Sequence, residues 1–157
     1  MSGLPEPILA LAERHRRVAV DSNVLIYLLD DDPRWGETAA AVVDAVATDV
    51  LEGVIASLGV AETLVGAARA DDGARFELAA ATMRDLGFTI TALDADAAED
   101  AAWIRGRTGA SLADAVHLAC ARAAGATALI TNDRRLRSDR GPEVVYLDDL
   151  AEVAPSP

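Results

Sequence analysis

Residues 18–30 read VAVDSNVLIYLLD, and this stretch decides the fold. Val18 to Val20 is a short, continuously apolar run, which is typical of a strand buried on both faces. The run ends at Asp21, and the apolar pattern that follows predicts a helix over about 23–30. A buried strand that leads through an acidic residue into a helix indicates the α/β class. In that class, ligands bind beyond the carboxyl ends of the strands.

The same alternation of strand and helix continues towards both ends of the chain. Strands are predicted at 18–20, 53–56, 88–91, 126–130 and 144–146. Helices are predicted at 5–16, 23–30, 35–48, 57–70, 74–86, 95–105 and 111–124. Short apolar strands separated by helices favour a parallel sheet covered on both faces, a three-layer α/β/α sandwich of Rossmann-like topology. We divide the chain into an N-terminal helical extension (1–17), one domain (18–150) and a flexible tail (151–157).

Length and composition limit the class of protein further. With 157 residues, of which 52% are hydrophobic, the chain is expected to fold as one domain. It has no apolar run as long as a membrane span, and its start lacks the order of charges in a secretory signal. A single cysteine, Cys120, permits no internal disulfide and is expected to pack in the core. These features fit a cytoplasmic protein without a membrane partner.

The charged residues exclude several chemistries. All 14 basic residues are arginine, so a P-loop, a Schiff-base enzyme and a phospho-receiver domain each lack their lysine. The net charge of −12 argues against non-specific binding to a polyanion, which depends on basic side chains. Arginines nevertheless concentrate at Arg105 and Arg107 and again at Arg134, Arg135, Arg137 and Arg140. Solvated surface charge and contact with RNA are both open for these groups.

Acidic residues fall where the carboxyl ends of the strands are expected. Asp21 follows one predicted strand directly, and Asp133 lies three residues after another. Glu62 and Asp114 lie on helices that begin near the same edge. Each also has a purely structural interpretation: a helix cap at Asp21, an Asx-turn at Asn132–Asp133, a capping box at Ser111–Asp114, and an exposed helical acid at Glu62.

The surroundings of Asp114 favour the functional interpretation. Its helix is apolar nearly all round and should be buried, so the carboxylate needs water, a partner or a cation. If four carboxylates met at one place, they would repel one another and require a counter-charge. Oxygen ligands of this kind suit Mg²⁺ or Mn²⁺.

Four segments, taken in order, resemble the motifs of PIN domains, and in particular of VapC-like toxins. They are the hexapeptide DSNVLI (21–26), the pair Ala61-Glu62, the run DAVHLA (114–119) and the tripeptide TND (131–133). The resemblance extends from Val18 to about Leu150. It implies a Mg²⁺- or Mn²⁺-dependent endoribonuclease, usually a homodimer and commonly neutralised by a VapB-like antitoxin.

The resemblance assigns roles to individual residues. The acids carried over as catalytic and metal-binding residues are Asp21, Glu62, Asp114 and Asp133. Residues Ser22, Thr131 and Asn132 match supporting positions. The chain departs from the family at its extra N-terminal helix and at Gly59 and Val60, where bulkier helix formers are expected.

The predicted activity is hydrolysis of phosphodiester bonds in single-stranded or looped RNA, which would enter past Arg134, Arg135 and Arg137. The main alternative is a catalytically silent PIN-like binding module. A haloacid dehalogenase-type phosphatase fits less well, since Asn23 replaces its second aspartate. His117 is interpreted as a packed position, because two histidines give little support to a zinc site or a nucleophile triad. Trp35 and Trp103 are expected to pack against the sheet or a partner rather than to stack on bases.

Overall fold

The computed structural model describes residues 3–152, so the predictions for residues 1–2 and for most of the tail lie outside the described residues. The strands are β1 (Arg17–Val20), β2 (Glu52–Ala56), β3 (Thr89–Thr91), β4 (Ala128–Thr131) and β5 (Glu143–Tyr146). The helices are α1 (Glu6–Arg14), α2 (Ser22–Leu29), α3 (Gly36–Ala47), α4 (Ser57–Arg69), α5 (Gly73–Asp85), α6 (Ala95–Thr108) and α7 (Leu112–Ala123). A short 3₁₀ helix, Leu147–Leu150, follows β5. The predicted α/β/α architecture is confirmed.

The sheet is entirely parallel, with the strand order β3-β2-β1-β4-β5. β1 lies in the centre, where Ala19 is paired with Val54 of β2 and with Leu129 of β4. The chain builds one half of the sheet from β1 outwards and then returns to the other side of β1 with β4. The switch in strand order therefore lies between β1 and β4, which is where an open α/β sheet forms a crevice for ligands.

Two hydrophobic cores cover the two faces of the sheet. Val18 and Val20 join the core built with α1, α2 and α3, whereas Ala19 between them joins the core built with α6 and α7. Ile130 and Leu129 of β4 divide between the same two cores. This alternation is the period of two that a strand imposes on its side chains. It explains why the runs Val18–Val20 of β1 and Ala128–Ile130 of β4 are apolar at consecutive positions.

The helix predicted as an N-terminal extension packs into the first core. Ile8 and Leu11 of α1 are fully buried in the same cluster as Val18 and Val20. Beyond the helix, His15 contacts Thr127 with Nδ1 at 3.0 Å and Glu143 with Nε2 at 2.8 Å. α1 therefore shares its apolar surface with the domain that follows it.

The observed element boundaries differ from the predicted ones by a few residues. α6 continues past the predicted end at 105 and stops at Gly109, whose φ of 70° suits a residue without a side chain. β4 begins at Ala128 rather than 126, because Ala126 still bonds back to the end of α7 through its N–H and the carbonyl of Ala121. Within residues 3–152, none of the helices is long and apolar enough to cross a membrane.

Candidate metal centre

Asp21 lies at the carboxyl end of β1, and its carboxylate is held by several donors. It is 6% exposed and is the N-cap of α2. Oδ1 accepts hydrogen bonds from the Ser22 N–H at 2.7 Å and from Ser22 Oγ at 3.3 Å. Oδ2 accepts from Thr131 Oγ1 at 2.8 Å and from Asn23 Nδ2 at 3.4 Å. Asp21 therefore caps a helix and also presents a fixed, buried carboxylate at the switch in strand order.

Glu62 and His117 meet beside Asp21. The ring atom His117 Nε2 is 2.6 Å from Glu62 Oε1 and 3.5 Å from Asp21 Oδ1. One ligand atom from each of the three side chains lies within 4.8 Å of the other two. His117 is 2% exposed, and its Nδ1 has no hydrogen-bond partner among the described residues. The aspartate, the glutamate and the imidazole form one compact group, which we call the Asp21 cluster.

The electrostatics of the cluster favour its charged forms. Burial lowers the pKa of the His117 imidazole. The hydrogen bond to Glu62 and the charges of Asp21, Glu62 and Asp114 outweigh burial, so this pKa is raised overall. The hydrogen bond from His117 lowers the pKa of Glu62, against the opposing effect of burial. When His117 is protonated, its imidazolium supplies part of the counter-charge that the carboxylates require.

Gly59 explains how His117 reaches Glu62. A side-chain carbon at position 59 of α4 would lie 2.9 Å from Ile55 Cγ1 and 3.0 Å from His117 Cε1. Contacts as short as these are not tolerated in a packed interior. The glycine that departs from the expected pattern one turn before Glu62 is therefore required by the close approach of α7 to α4.

Asp114 lies in the first turn of α7, and it contributes its backbone N–H rather than its carboxylate to the helix cap. Ser111 Oγ accepts a hydrogen bond from the Asp114 N–H at 3.1 Å, which is half of a capping box. Within residues 3–152, the reciprocal bond, donated by the Ser111 N–H to the Asp114 carboxylate, is absent. The charge of Asp114 makes only a minor contribution to the raised pKa of His117, which rests mainly on the Glu62 hydrogen bond and the charge of Asp21, and to that of Arg135, which rests mainly on Asp133.

Asp133 is bound to Arg135 rather than to the cluster. Its Oδ1 accepts hydrogen bonds from the Arg135 N–H at 2.9 Å and from Arg135 Nε at 3.1 Å, and Oδ2 accepts from the same guanidinium at 3.2 Å. The first of these bonds closes the predicted Asx-turn, and they lower the pKa of Asp133. Thr131 Oγ1 links the two halves of the site, since it accepts from the Asp133 N–H and donates to Asp21.

Two of the four predicted acids, Asp21 and Glu62, thus lie together with His117 within 4.8 Å. Asp114 and Asp133 are not part of that group among the described residues, and Asp133 is paired with Arg135. The interpretation of His117 as merely a packed position is incomplete, because the buried ring bonds to Glu62. Its spacing of three residues from Asp114 on one helix face is the signal that could have identified it.

The other residues singled out in the sequence have varied positions. Cys120 is fully buried, as predicted, and burial raises the pKa of its thiol. Trp35 packs against the first core beside Tyr27. Trp103 is 46% exposed and is not among the residues packed against either core.

The residues present fit a hydrated divalent cation. Asp21 and Glu62 offer oxygen ligands, and His117 offers a nitrogen that manganese and other transition metals also accept. Two buried acceptors beside the cluster, Asn23 Oδ1 and Asn132 Oδ1, have no donor within the described residues. Water molecules bound to a cation would bring such donors.

Comparison with known proteins identifies the family. The profile of the PIN domain family matches residues 18–139, most of the chain, and the chain belongs to that family. No curated protein matches the sequence.

Solved structures share the fold at low sequence identity. A toxin–antitoxin complex from Klebsiella pneumoniae is 25% identical, with a TM-score of 0.62 over 83% of this chain and 97% of that one. VapBC2 from Rickettsia felis, bound to a promoter DNA fragment, is 14% identical, with a TM-score of 0.63 over 83% and 98% of the two chains. VapC20 from Mycobacterium tuberculosis, a toxin that cleaves the sarcin–ricin loop, is 20% identical, with a TM-score of 0.57 over 71% and 86%.

Proposed function

We propose that this protein is a metal-dependent endoribonuclease and the toxin of a VapBC-type pair. The observation that carries the proposal is the convergence of Asp21, Glu62 and His117 within 4.8 Å at the carboxyl edge of the sheet. Membership of the PIN family and the fold shared with toxin–antitoxin structures support it. The substrate would be single-stranded or looped RNA.

The residues divide into ligands and supports. Asp21 and Glu62 would hold Mg²⁺ or Mn²⁺ from the Asp21 cluster, and Asp114 and Asp133 would complete the shell directly or through water. Ser22, Thr131 and Asn132 would act as supports, since Ser22 and Thr131 already fix the Asp21 carboxylate. For Asp133 to take part, its ion pair with the exposed Arg135 would have to open.

The chemistry requires water, a phosphodiester and a means of stabilising negative charge. A bound divalent cation supplies a more acidic water and screens the charge that grows on the phosphate. The protein's own residues fix the geometry. Asp21 is immobilised by four hydrogen bonds, and His117 holds the Glu62 carboxylate against the same point. Glu62, which is partly exposed, would orient the attacking water.

Cleavage assays with matched variants test the activity. The purified protein is expected to cut single-stranded RNA with Mn²⁺ or Mg²⁺, and EDTA should stop the reaction. Asp21→Asn should reduce the rate at least about 100-fold, because it removes a charged ligand from the centre of the cluster. Asp44→Asn, on the exposed surface of α3, is the control of equal charge and should leave the rate unchanged.

Cleavage that survives both EDTA and Asp21→Asn would come from another enzyme or another mechanism. Absence of cleavage in the wild type, with Mn²⁺ bound and several RNAs tried, would favour the silent binding module.

A groove beside the metal centre fits the proposed antitoxin. It has a volume of about 240 Å³ and runs between α2, α4 and α5. Its apolar lining includes Ile26, Leu29 and Leu78, and Glu62 of the Asp21 cluster lies in the same lining. An amphipathic helix could bury its apolar face in this groove and extend a basic side chain towards the carboxylates. α5 forms one wall of this groove through Arg75, Leu78 and Ala79.

Co-expression tests the partner. Induction of this chain alone is expected to arrest growth, and co-expression of its VapB-like antitoxin should relieve the arrest. Leu29→Arg should abolish the relief, whereas the same change at the exposed Leu9 of α1 should not. Normal growth at high expression and no bound partner would contradict the toxin assignment.

We also propose a homodimer, for which light scattering at tens of micromolar should give twice the chain mass.

A further inference from the structure

The surface around Trp103 differs from the rest of this acidic chain. Trp103 lies on α6 and is 46% exposed. The guanidinium carbon of Arg107, one helical turn further on, is 5.2 Å from the centre of the indole ring. That of Arg140, from the segment between β4 and β5, is 4.7 Å from it. We call these three side chains the Trp103 platform.

The two arginines of the platform are not neutralised by acids. Within residues 3–152, neither Arg107 nor Arg140 forms an ion pair with a carboxylate at 4.0 Å or less. At the opposite end of the sheet, Arg16 and Arg17 both pair with Glu52. The platform therefore combines an exposed aromatic face with two unneutralised cations, in a chain whose net charge is −12.

The platform is connected to the metal centre through two segments. Arg140 lies near the end of the segment that leaves β4 through Asp133. Arg105, next to the platform on α6, donates a hydrogen bond at 3.0 Å to the carbonyl of Ala110, in the loop that leads to Asp114. The two segments that carry the platform therefore also carry Asp133 and Asp114, two of the acids predicted for the site.

We infer that the Trp103 platform binds single-stranded RNA next to the cleavage site, with a base stacked on the indole and phosphates contacting Arg107 and Arg140. Stacking on an aromatic ring tolerates any base, and arginine suits phosphate geometry. This inference rests on the proposed nuclease and adds where the substrate strand is bound. It also explains how a chain with a net charge of −12 could bind RNA, because the phosphates would contact two arginines that are not paired with acids.

Tryptophan fluorescence reports on the platform directly. The chain has two tryptophans, and the second, Trp35, also lies under an arginine, with Arg34 4.4 Å from its ring centre. Trp35→Phe leaves Trp103 as the only tryptophan, and Trp103→Phe leaves Trp35. Each protein is titrated in EDTA, without metal, with an oligouridylate of roughly 12 nucleotides. We expect quenching of Trp103 and an unchanged signal from Trp35.

Affinity measurements test the three side chains separately. Anisotropy of the same oligouridylate carrying fluorescein should show about 5- to 150-fold weaker binding for Trp103→Leu, and near-normal binding for Trp103→Phe, which keeps a ring. Arg107→Gln and Arg140→Gln should each reduce the slope of log K against log salt by about 0.7. Arg84 is an exposed arginine of α5, and the control variant Arg84→Gln should keep the wild-type slope.

Three outcomes would overturn the inference. The first is RNA binding that quenches neither tryptophan. The second is an equal loss for Arg84→Gln and Arg107→Gln, which would mean that only total charge matters. The third is a Trp103→Leu protein that binds RNA normally but no longer self-associates, which would assign the surface to a second copy of the chain. If Trp103→Leu fails to fold, the arginine variants and Trp103→Phe still decide. A wild type that binds RNA at the platform but never cleaves with Mn²⁺ would refute the proposed nuclease alone.

Discussion

Asp114 has two interpretations, as part of a helix cap and as a metal ligand, and the two involve different atoms of the residue. The Ser111 hydroxyl caps α7 through the Asp114 N–H, and the Asp114 carboxylate is left without a bond to that cap in the described residues. The cap should tolerate Asp114→Asn, because it uses the backbone N–H of residue 114 and not its side chain. The ligand set should not, because one anionic charge is lost.

We expect Asp114→Asn to leave the stability in EDTA within about 1 kcal/mol of the wild type. The stabilisation by millimolar Mn²⁺ should fall by about 1.4 kcal/mol or more, corresponding to a tenfold weaker affinity. Melting curves of both proteins with EDTA and with Mn²⁺ measure the two effects separately. A wild type indifferent to metal, beside a mutant destabilised equally under both conditions, would return Asp114 to a purely structural role.

The pair of His117 and Glu62 makes the stability of the metal-free protein depend on pH. Because the pKa of His117 is raised on folding, its contribution is complete below the unfolded value of about 6.5 and is lost as the pH rises through the folded value. Because the pKa of Glu62 is lowered, its contribution is present above the unfolded value and is lost as the pH falls through the folded value.

In EDTA, the free energy of unfolding should therefore decrease as the pH rises from about 6.5 through the raised pKa of His117. His117→Gln, which keeps a hydrogen-bond donor but does not titrate, should flatten this decrease. Urea unfolding at several pH values provides the measurement. A wild type whose stability increases over the same interval would contradict the ionised pair.

At the scale of the element, α4 contains two glycines with opposite roles. A side-chain carbon at Gly59 would collide with the buried Ile55 and His117, whereas one at Gly66 would meet nothing within 4 Å. Alanine also favours a helix over glycine by up to about 1 kcal/mol. The same substitution at the two positions therefore separates packing from helix propensity.

Gly59→Ala should destabilise the protein by about 1–2 kcal/mol, because over-packing outweighs the gain in propensity. Gly66→Ala should stabilise it by about 0.5–1 kcal/mol. Urea unfolding curves compare the two. If Gly59→Ala were as stabilising as Gly66→Ala, the close approach of α7 to α4 would not constrain this position.

At the scale of the whole molecule, the packing of α1 indicates whether this helix is an integral part of the domain or a separable extension. Ile8 is fully buried in the first core, whereas Leu9, the next residue along the helix, is 44% exposed. We expect Ile8→Ala to cost about 2–5 kcal/mol and Leu9→Ala to change stability by less than about 0.5 kcal/mol. Thermal unfolding of the two variants checks this. A small loss at Ile8 would mean that the helix can detach without harm to the domain.

The sequence by itself determined the layers of the fold and the position of Asp21. Strand and helix periods are local properties, so the run VAVDSNVLIYLLD indicates a buried strand and the helix that follows it. Acids that directly follow parallel strands must lie at one edge of the sheet, which places Asp21 and Asp133 there before any coordinates are known. Agreement between the periodic pattern and the ordered motifs is why the architecture and the family could be predicted together.

Only the tertiary structure decided which side chains meet. His117 and Glu62 are separated by 55 positions in the sequence, and their contact depends on how closely α7 approaches α4 over Gly59. Local patterns contain no information about that distance. The ion pair of Asp133 with Arg135 likewise depends on rotamers and on the turn after β4. The sequence therefore specified which residues reach the edge of the sheet, whereas packing between distant helices determined the composition of the cluster.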